Sequence, residues 1–312
     1  MPEAQAFVLV GPTATGKTAV AHHIAARRGY DILSADSMLV YRGMDIGTAK
    51  PTAAQRVDVR YWCLDLVDPG TRFTVAQFCA AASHALQACA ADGRRMLVVG
   101  GTGLYVRSLV EGLSALPDGD TAVREGGERL LAAGGVAALQ AAVREKAPRL
   151  YAELSDKQNP RRLLRALELA EAGIHWRPKT WGEPSGRPML VGLRMDSGLL
   201  KERIRKRVAA MYDTGFLGEV ESLLEQGIEQ APTAAQAIGY AEAIAHLRGR
   251  CTREEGVART ATRTWQLAKR QMTWFRHQAN VTWVDVGAMS SETEVASQVE
   301  QAWVSSGPVT IA

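Results

Sequence analysis

Residues Gly11-Pro12-Thr13-Ala14-Thr15-Gly16-Lys17-Thr18 fit the pattern G-x-x-x-x-G-K-[ST]. They stand between a short apolar strand, Phe7–Val10, and a helix expected from about Gly16 to Arg28, which Gly29 stops. A strand, such a loop and a helix in that order leave few folds open. The loop's backbone N–H groups converge at a helix N-terminus, where the macrodipole also favours an anion. Lys17 adds a mobile positive charge, and Thr18 offers a hydroxyl to Mg²⁺. The segment from Gly11 to Thr18 is therefore read as a cradle for a phosphate chain.

The chain beyond it keeps alternating. Ile32–Ala35 reads as a second strand, neighbouring the first, and Thr74-x-x-Gln77 as a capping box. That box opens an Ala-rich helix ending at Asp92-Gly93, and Met96–Val99 is a third buried strand broken by Gly100-Gly101. Strands alternating with helices predict an α/β fold, a P-loop-type parallel sheet flanked by helices. After Leu113 the texture changes: Pro117-Asp118-Gly119-Asp120 marks a turn, and Val123 to about Gly173 is helical without strand signal. Gly182-Glu183-Pro184-Ser185-Gly186 closes this stretch, and Met189–Leu193 returns to the sheet. The expected division is a core of residues 1–114 and 188–312, with an all-helical insertion over 115–187. The last third is helical to about Phe275, with a late strand at Val281–Val286 and a final helix capped by Ser291-x-x-Glu294.

Composition narrows the class less. Over 312 residues, 46% are hydrophobic and 22% charged, which suits a folded chain and argues against extensive disorder. The net charge of +4 and a pI near 8.9 are mildly basic, so only the placement of the charge speaks for a polyanionic partner. Cys63, Cys79, Cys89 and Cys251 form no CxxC pair and no Cys/His set with zinc spacing, as expected of thiols in a reducing cytosol. No basic leader precedes the first strand, and no apolar run nears the roughly 18 residues that span a bilayer. A cytoplasmic monomer with no membrane attachment is expected.

Which phosphate chain is held is a separate question. Nucleotide- and ATP-binding proteins of this architecture usually carry a second strand ending in an acidic, metal-holding residue. Here Met96–Val99 ends in Gly100-Gly101-Thr102-Gly103, and Cys63–Asp68 runs straight into Pro69-Gly70, where a turn is the plainer reading. Nucleotide hydrolysis is thereby disfavoured. The second strand instead ends in Ser34-Ala35-Asp36-Ser37, and strand C-termini in such sheets face the ligand crevice. Asp36 is a metal ligand, a base or a turn-forming aspartate, and position alone leaves all three open.

Longer segments are more specific. The run from Asp36 to Pro51 resembles the signature of the tRNA dimethylallyltransferase (isopentenyl-tRNA transferase) family, and it follows the phosphate loop at that family's spacing. Gly100–Tyr105, Asn159–Glu168, Ala237–Tyr240 and Thr264–Arg276 agree with the family in the same order. Two departures stand out: Arg60-Tyr61 where the family often has a His pair, and Ala241 where it usually has Lys or Arg. The C-terminal zinc finger of eukaryotic relatives has no counterpart here, so the resemblance is to the bacterial form.

The resemblance implies a donor, dimethylallyl diphosphate, and an acceptor, the exocyclic amine of the adenosine 3′ of the anticodon in tRNA. It implies Mg²⁺ at Thr18, with Lys17 and the loop stabilising the departing diphosphate and Asp36 taking the amine proton. It matches Arg207 to a diphosphate contact, with Arg203 second, although a solvated basic face explains both as well. For tRNA it points to Asp36, Ser37, Met38 and Leu39, to Thr102, to Arg124, and to Arg161, Arg162, Leu163, Leu164 and Arg165. Gln236, Ala237, Ile238, Gly239, Tyr240 and Ala241 complete that set. Thr102 is also explained by turn chemistry. Arg259, Arg263, Lys269, Arg270 and Arg276 are further candidates for the RNA backbone, whereas Trp265, Trp274 and Phe275 have the spacing of core residues. Competing readings are a prenyltransferase acting on free adenine nucleotides, a small-molecule kinase, and an RNA-binding module with a vestigial loop.

Overall fold

A continuous run of apolar residues suits a strand buried on both faces, and the first strand, β1 (Gln5–Val10), is nearly all interior. The computed structural model describes residues 4–113, 119–154, 156–174, 188–231 and 233–312. After β1 come α1 (Lys17–Arg28), β2 (Asp31–Ser34), α2 (Ala53–Asp58), β3 (Tyr61–Trp62), α3 (Val75–Ala91), β4 (Met96–Gly100) and α4 (Gly103–Glu111). Three helices follow, α5 (Thr121–Lys146), α6 (Pro148–Glu153) and α7 (Pro160–Glu171). Then β5 (Met189–Arg194), α8 (Ser197–Asp213), α9 (Phe216–Glu225), α10 (Tyr240–Leu247), α11 (Arg253–Gln278), β6 (Asn280–Asp285), α12 (Glu292–Ser306) and β7 (Val309–Thr310) complete the chain.

The strands form one sheet in the order β3-β2-β4-β1-β5-β6, parallel throughout, with β7 antiparallel against β1. One expectation needs correcting: β2 is not the neighbour of β1. β4 lies between them, pairing Val10 with Gly100 on one side and Ser34 with Val99 on the other. Crossover helices let parallel strands join the sheet out of sequence order. As a result the segments after β1, β4 and β2 leave the sheet side by side.

Two apolar layers hold the sheet. Leu9, Ile24, Leu97, Val191 and Val299 fill the face under α1 and α12. Val8, Leu33, Phe78, Val98 and Tyr105 fill the face under α3 and α4. A further cluster, including Met44, Ile204, Phe216 and Tyr240, packs α8 to α11 together. The chain divides into two compact units, Met1–Leu113 with Pro184–Ala312, and Ser114–Glu183. The second has its own core of Leu139, Val143, Leu163 and Leu167. Within it α5 is kinked at Gly135, whose φ of 64° lies outside the helical region. The turn residues Pro117 and Asp118 and the stretch Gly182–Gly186 lie outside the described residues. No helix among the described residues is long and apolar enough to cross a membrane.

Candidate active site

The loop between β1 and α1 is shaped by its own backbone. Gly11 has φ 136°, and a Cβ there would fall on the Leu193 carbonyl of β5, so only glycine passes. Thr15 is buried, and its hydroxyl donates to the Pro12 carbonyl at 2.9 Å. Lys17 Nζ donates to the same carbonyl at 2.7 Å, folding the side chain back over the loop. Gly16 caps α1 in the left-handed region with no side-chain cap, so no side-chain oxygen competes for the first N–H groups of the helix. Thr18 is exposed at that first turn.

Cations collect around it. Arg207, from α8, donates from Nη1 to Thr13 Oγ1 at 3.3 Å, and the Arg203 guanidinium lies beside Gly16. Burial pushes the Lys17 ammonium down to about 8; the Asp36 charge opposes that shift and Arg207 adds to it. Arg207 is lowered too, first by burial, against the pull of Asp36 and with the push of Arg203. Desolvated like charges held this close favour a polyanion between them.

Asp36 and Thr102 stand on the adjoining turns. Met38 N–H donates to Asp36 Oδ1 at 2.9 Å, so the turn-forming role is real. Its charge also opposes the lowering of both Lys17 and Arg207, which places the carboxylate within electrostatic reach of the two cations. Thr102 N–H donates to the Ala35 carbonyl at 3.2 Å, and Thr102 Oγ1 accepts from Ser37 N–H at 3.1 Å. The β4 turn thus fixes the segment that carries Asp36.

The profile of the family described as IPP transferase matches residues 39–278, and that described as isopentenyl transferase matches residues 4–66. The chain belongs to the IPP transferase family. The tRNA dimethylallyltransferase of Desulforudis audaxviator is 39% identical over 302 residues, covering 94% of this chain and 97% of that protein. That of Anaeromyxobacter sp. strain K is 41% identical, covering 89% and 92%. Among solved structures, the tRNA isopentenylpyrophosphate transferase of Bacillus halodurans is 34% identical with a TM-score of 0.69, covering 96% of each chain. A eukaryotic dimethylallyltransferase, crystallised acting on tRNA, shares the fold with a TM-score of 0.74 at 21% identity.

The segments in which this IPP transferase resembles its family separate into exposed and interior positions. Leu163 and Leu164 were expected at the RNA; their side chains are instead buried in the core of the helical unit. Leu39 and Ala237 are buried likewise, and Tyr240 is wholly interior, edge-on to Phe216. Apolar side chains that close a core present nothing to a phosphate or a base edge. Arg161 and Arg162 are exposed at the start of α7. Arg124 and Arg165 both bond the buried Glu168 carboxylate, at 2.8 and 2.9 Å, so they hold the unit together. Ser37, Met38, Ile238 and Ala241 are half-buried and Gln236 is exposed. Arg263 pairs with Glu242 and also donates to the Gln236 carbonyl at 3.2 Å. That arginine shapes the 236–241 turn, whose Gly239 N–H donates to Glu242 at 2.8 Å.

Three groups went unassigned in the sequence. Glu219 accepts the N–H groups of Asp45 at 2.9 Å, Ile46 at 2.6 Å and Gly47 at 3.2 Å, and the Tyr240 hydroxyl at 2.6 Å. Lys50 is buried between Asp45, Asp65 and the Tyr41 carbonyl. Gln271 accepts from Thr13 N–H and donates to the Gly101 carbonyl. Gln271 had a signal: it sits three residues after buried Ala268 and four before buried Phe275, on the inward stripe of α11. A polar group there must find partners.

Proposed function

We propose that this chain transfers a dimethylallyl group from dimethylallyl diphosphate to the exocyclic amine of the adenosine 3′-adjacent to the anticodon in tRNA. The observation that carries this is the convergence of Lys17, Arg203 and Arg207 on the phosphate loop, with Asp36 on the turn that Thr102 holds beside it. The cations suit a diphosphate, and the carboxylate suits a proton leaving an amine. The relatives' name, tRNA dimethylallyltransferase, supports the transferred group and the class of acceptor.

In the step itself the amine nitrogen attacks the allylic C1, the C1–O bond breaks, and its electron pair leaves with the diphosphate. The amine proton passes to the Asp36 oxygen not engaged by Met38 N–H. Lys17, Arg203, Arg207 and the loop N–H groups take up the charge that develops on the leaving group. A positioned base contributes about 10²- to 10⁴-fold. Mg²⁺ would come with the donor: among the described residues no group of three or more His, Cys, Asp or Glu side chains forms a metal cage. The Thr18 hydroxyl would be its protein ligand, as Mg²⁺ is commonly held by few side chains and substrate phosphates, and the ion would neutralise the diphosphate. The helical unit, 115–187, is read as a tRNA-contacting insertion through Arg161 and Arg162 at the start of α7.

The test is turnover with dimethylallyl diphosphate and unmodified tRNA, followed by mass spectrometry of the nucleosides. One C5H8 unit gained on that adenosine, with one diphosphate released, is expected. Transfer to AMP in preference to tRNA, or phosphate release from ATP without prenyl transfer, would replace the proposal with another enzyme.

A further inference from the structure

Two peptide groups from opposite ends of the proposed reaction meet on one side chain. Gln271 Oε1 accepts from the Thr13 N–H at 2.8 Å, and Gln271 Nε2 donates to the Gly101 carbonyl at 3.0 Å. Thr13 lies in the loop that would cradle the diphosphate. Gly101 precedes Thr102, whose hydroxyl and N–H hold the Ala35–Ser37 segment around Asp36. These partners lie 258 and 170 residues away in sequence, so nothing local brings them together.

The chemistry of the pair selects an amide. A backbone N–H only donates and a carbonyl only accepts, so the bridging group needs one acceptor and one donor in a plane. The same requirement fixes which end of the Gln271 amide is oxygen. Gly101 is shaped for this contact: a Cβ there would come within 2.5 Å of Gln271 Nε2. One turn further along α11, Trp274 covers Gly103, where a Cβ would overlap the indole ring. The side of α11 that carries both residues is thus seated on the β4 turn. Thr13 is pinned twice, its N–H by Gln271 and its hydroxyl by Arg207.

We infer that Gln271 is a positioning residue that sets the spacing between the donor's leaving group and the base, by tying the phosphate loop to the turn that holds Asp36. This rests on the function proposed above. It makes no contact with either substrate in this reading, so its loss should slow the bond-forming step and spare binding.

The experiment compares wild type with Gln271→Ala and Gln271→Met in one set of measurements: single-turnover transfer at saturating donor and tRNA, pyrophosphate affinity, tRNA affinity and thermal melting. Misplacement of reacting groups by about an ångström costs on the order of 100-fold, so a 10- to 100-fold slower transfer is expected. Both dissociation constants should stay within about threefold of wild type, because the groups that touch the ligands remain. The methionine variant keeps the side chain's bulk and carries the comparison if the alanine variant does not fold. Transfer within about threefold of wild type would overturn the inference, as would a rate loss matched by equal losses in both affinities. Wild-type transfer to tRNA in the same assay reports on the proposed function separately, and an inactive wild type would remove both.

Discussion

At the scale of single residues, Lys17 is the group whose chemistry is easiest to isolate. Its ammonium is held near 8 in the folded chain, against 10.5 unperturbed, chiefly by burial. Between those values the unfolded chain holds a proton that the folded chain has released, so this group makes stability rise with pH across that window. A diphosphate bound beside it favours the charged form and lifts the pKa again. Pyrophosphate binding at pH 8 should therefore take up a fraction of a proton, and affinity should fall as pH climbs through 8. Calorimetry in buffers of different ionisation heat reads that uptake directly, and Lys17→Met should abolish it. Binding heats independent of buffer would place Lys17 outside the anion site. Asp36→Ala should slow transfer by about 100-fold or more while tRNA affinity holds, and near-normal single-turnover rates would end its role as base. As candidates, Lys17, Thr18 and Asp36 were legible because motif spacing and strand ends announce them. Gln271 and Glu219 were not, because their partners are backbone groups brought close only by the tertiary fold.

Elements show the same division. The phosphate-loop strand and helix, and the capping boxes at Thr74/Gln77 and Ser291/Glu294, followed from local sequence and are present as read. Thr52/Gln55 and Thr252/Glu255 carry the same signal and also form boxes, opening α2 and α11. β3 and β7 are two residues long, too short for any alternation to reveal, and exist because longer strands offer them an edge. The segment 36–50 is an irregular loop whose order comes from elsewhere. Glu219 of α9 gathers three of its N–H groups, and Tyr240 of α10 bonds the same carboxylate. Burial, then the Glu219 charge, pushes the Tyr240 phenol well up, so it remains a donor. Tyr240→Phe should cost about 1.5–3 kcal/mol for one lost bond to a charged acceptor. Glu219→Ala, which leaves several donors without their acceptor, should cost more, about 2–4 kcal/mol. Urea midpoints at unchanged slope measure both, and equal costs would mean that the loop does not depend on its carboxylate.

For the molecule as a whole, the α/β class was legible from the alternation of elements, whereas the strand order was not. Sequence order does not say that β4 inserts between β1 and β2, yet that insertion puts Gly101 and Thr102 between the phosphate loop and Asp36. The net charge of +4 on 312 residues is equally mute, since many arginines are spent on internal pairs such as Arg124 and Arg165 with Glu168. What matters for a polyanion is the fraction of cations that face it. Arg161 is exposed at the start of α7, in the unit with its own core, so its removal should not disturb the fold. A lysine or arginine that neutralises one phosphate contributes about 0.7–0.9 to the slope of log affinity against log salt. Arg161→Ala should therefore weaken tRNA binding and reduce that slope by about this amount, with pyrophosphate affinity unchanged. Arg28 is the matched control: it is also exposed, but it pairs with Glu300 at the far end of α1 from the phosphate loop. Its replacement by alanine should leave the slope where it was. If Arg161→Ala and Arg28→Ala behave alike in a salt titration, the helical unit does not bind the RNA backbone through α7.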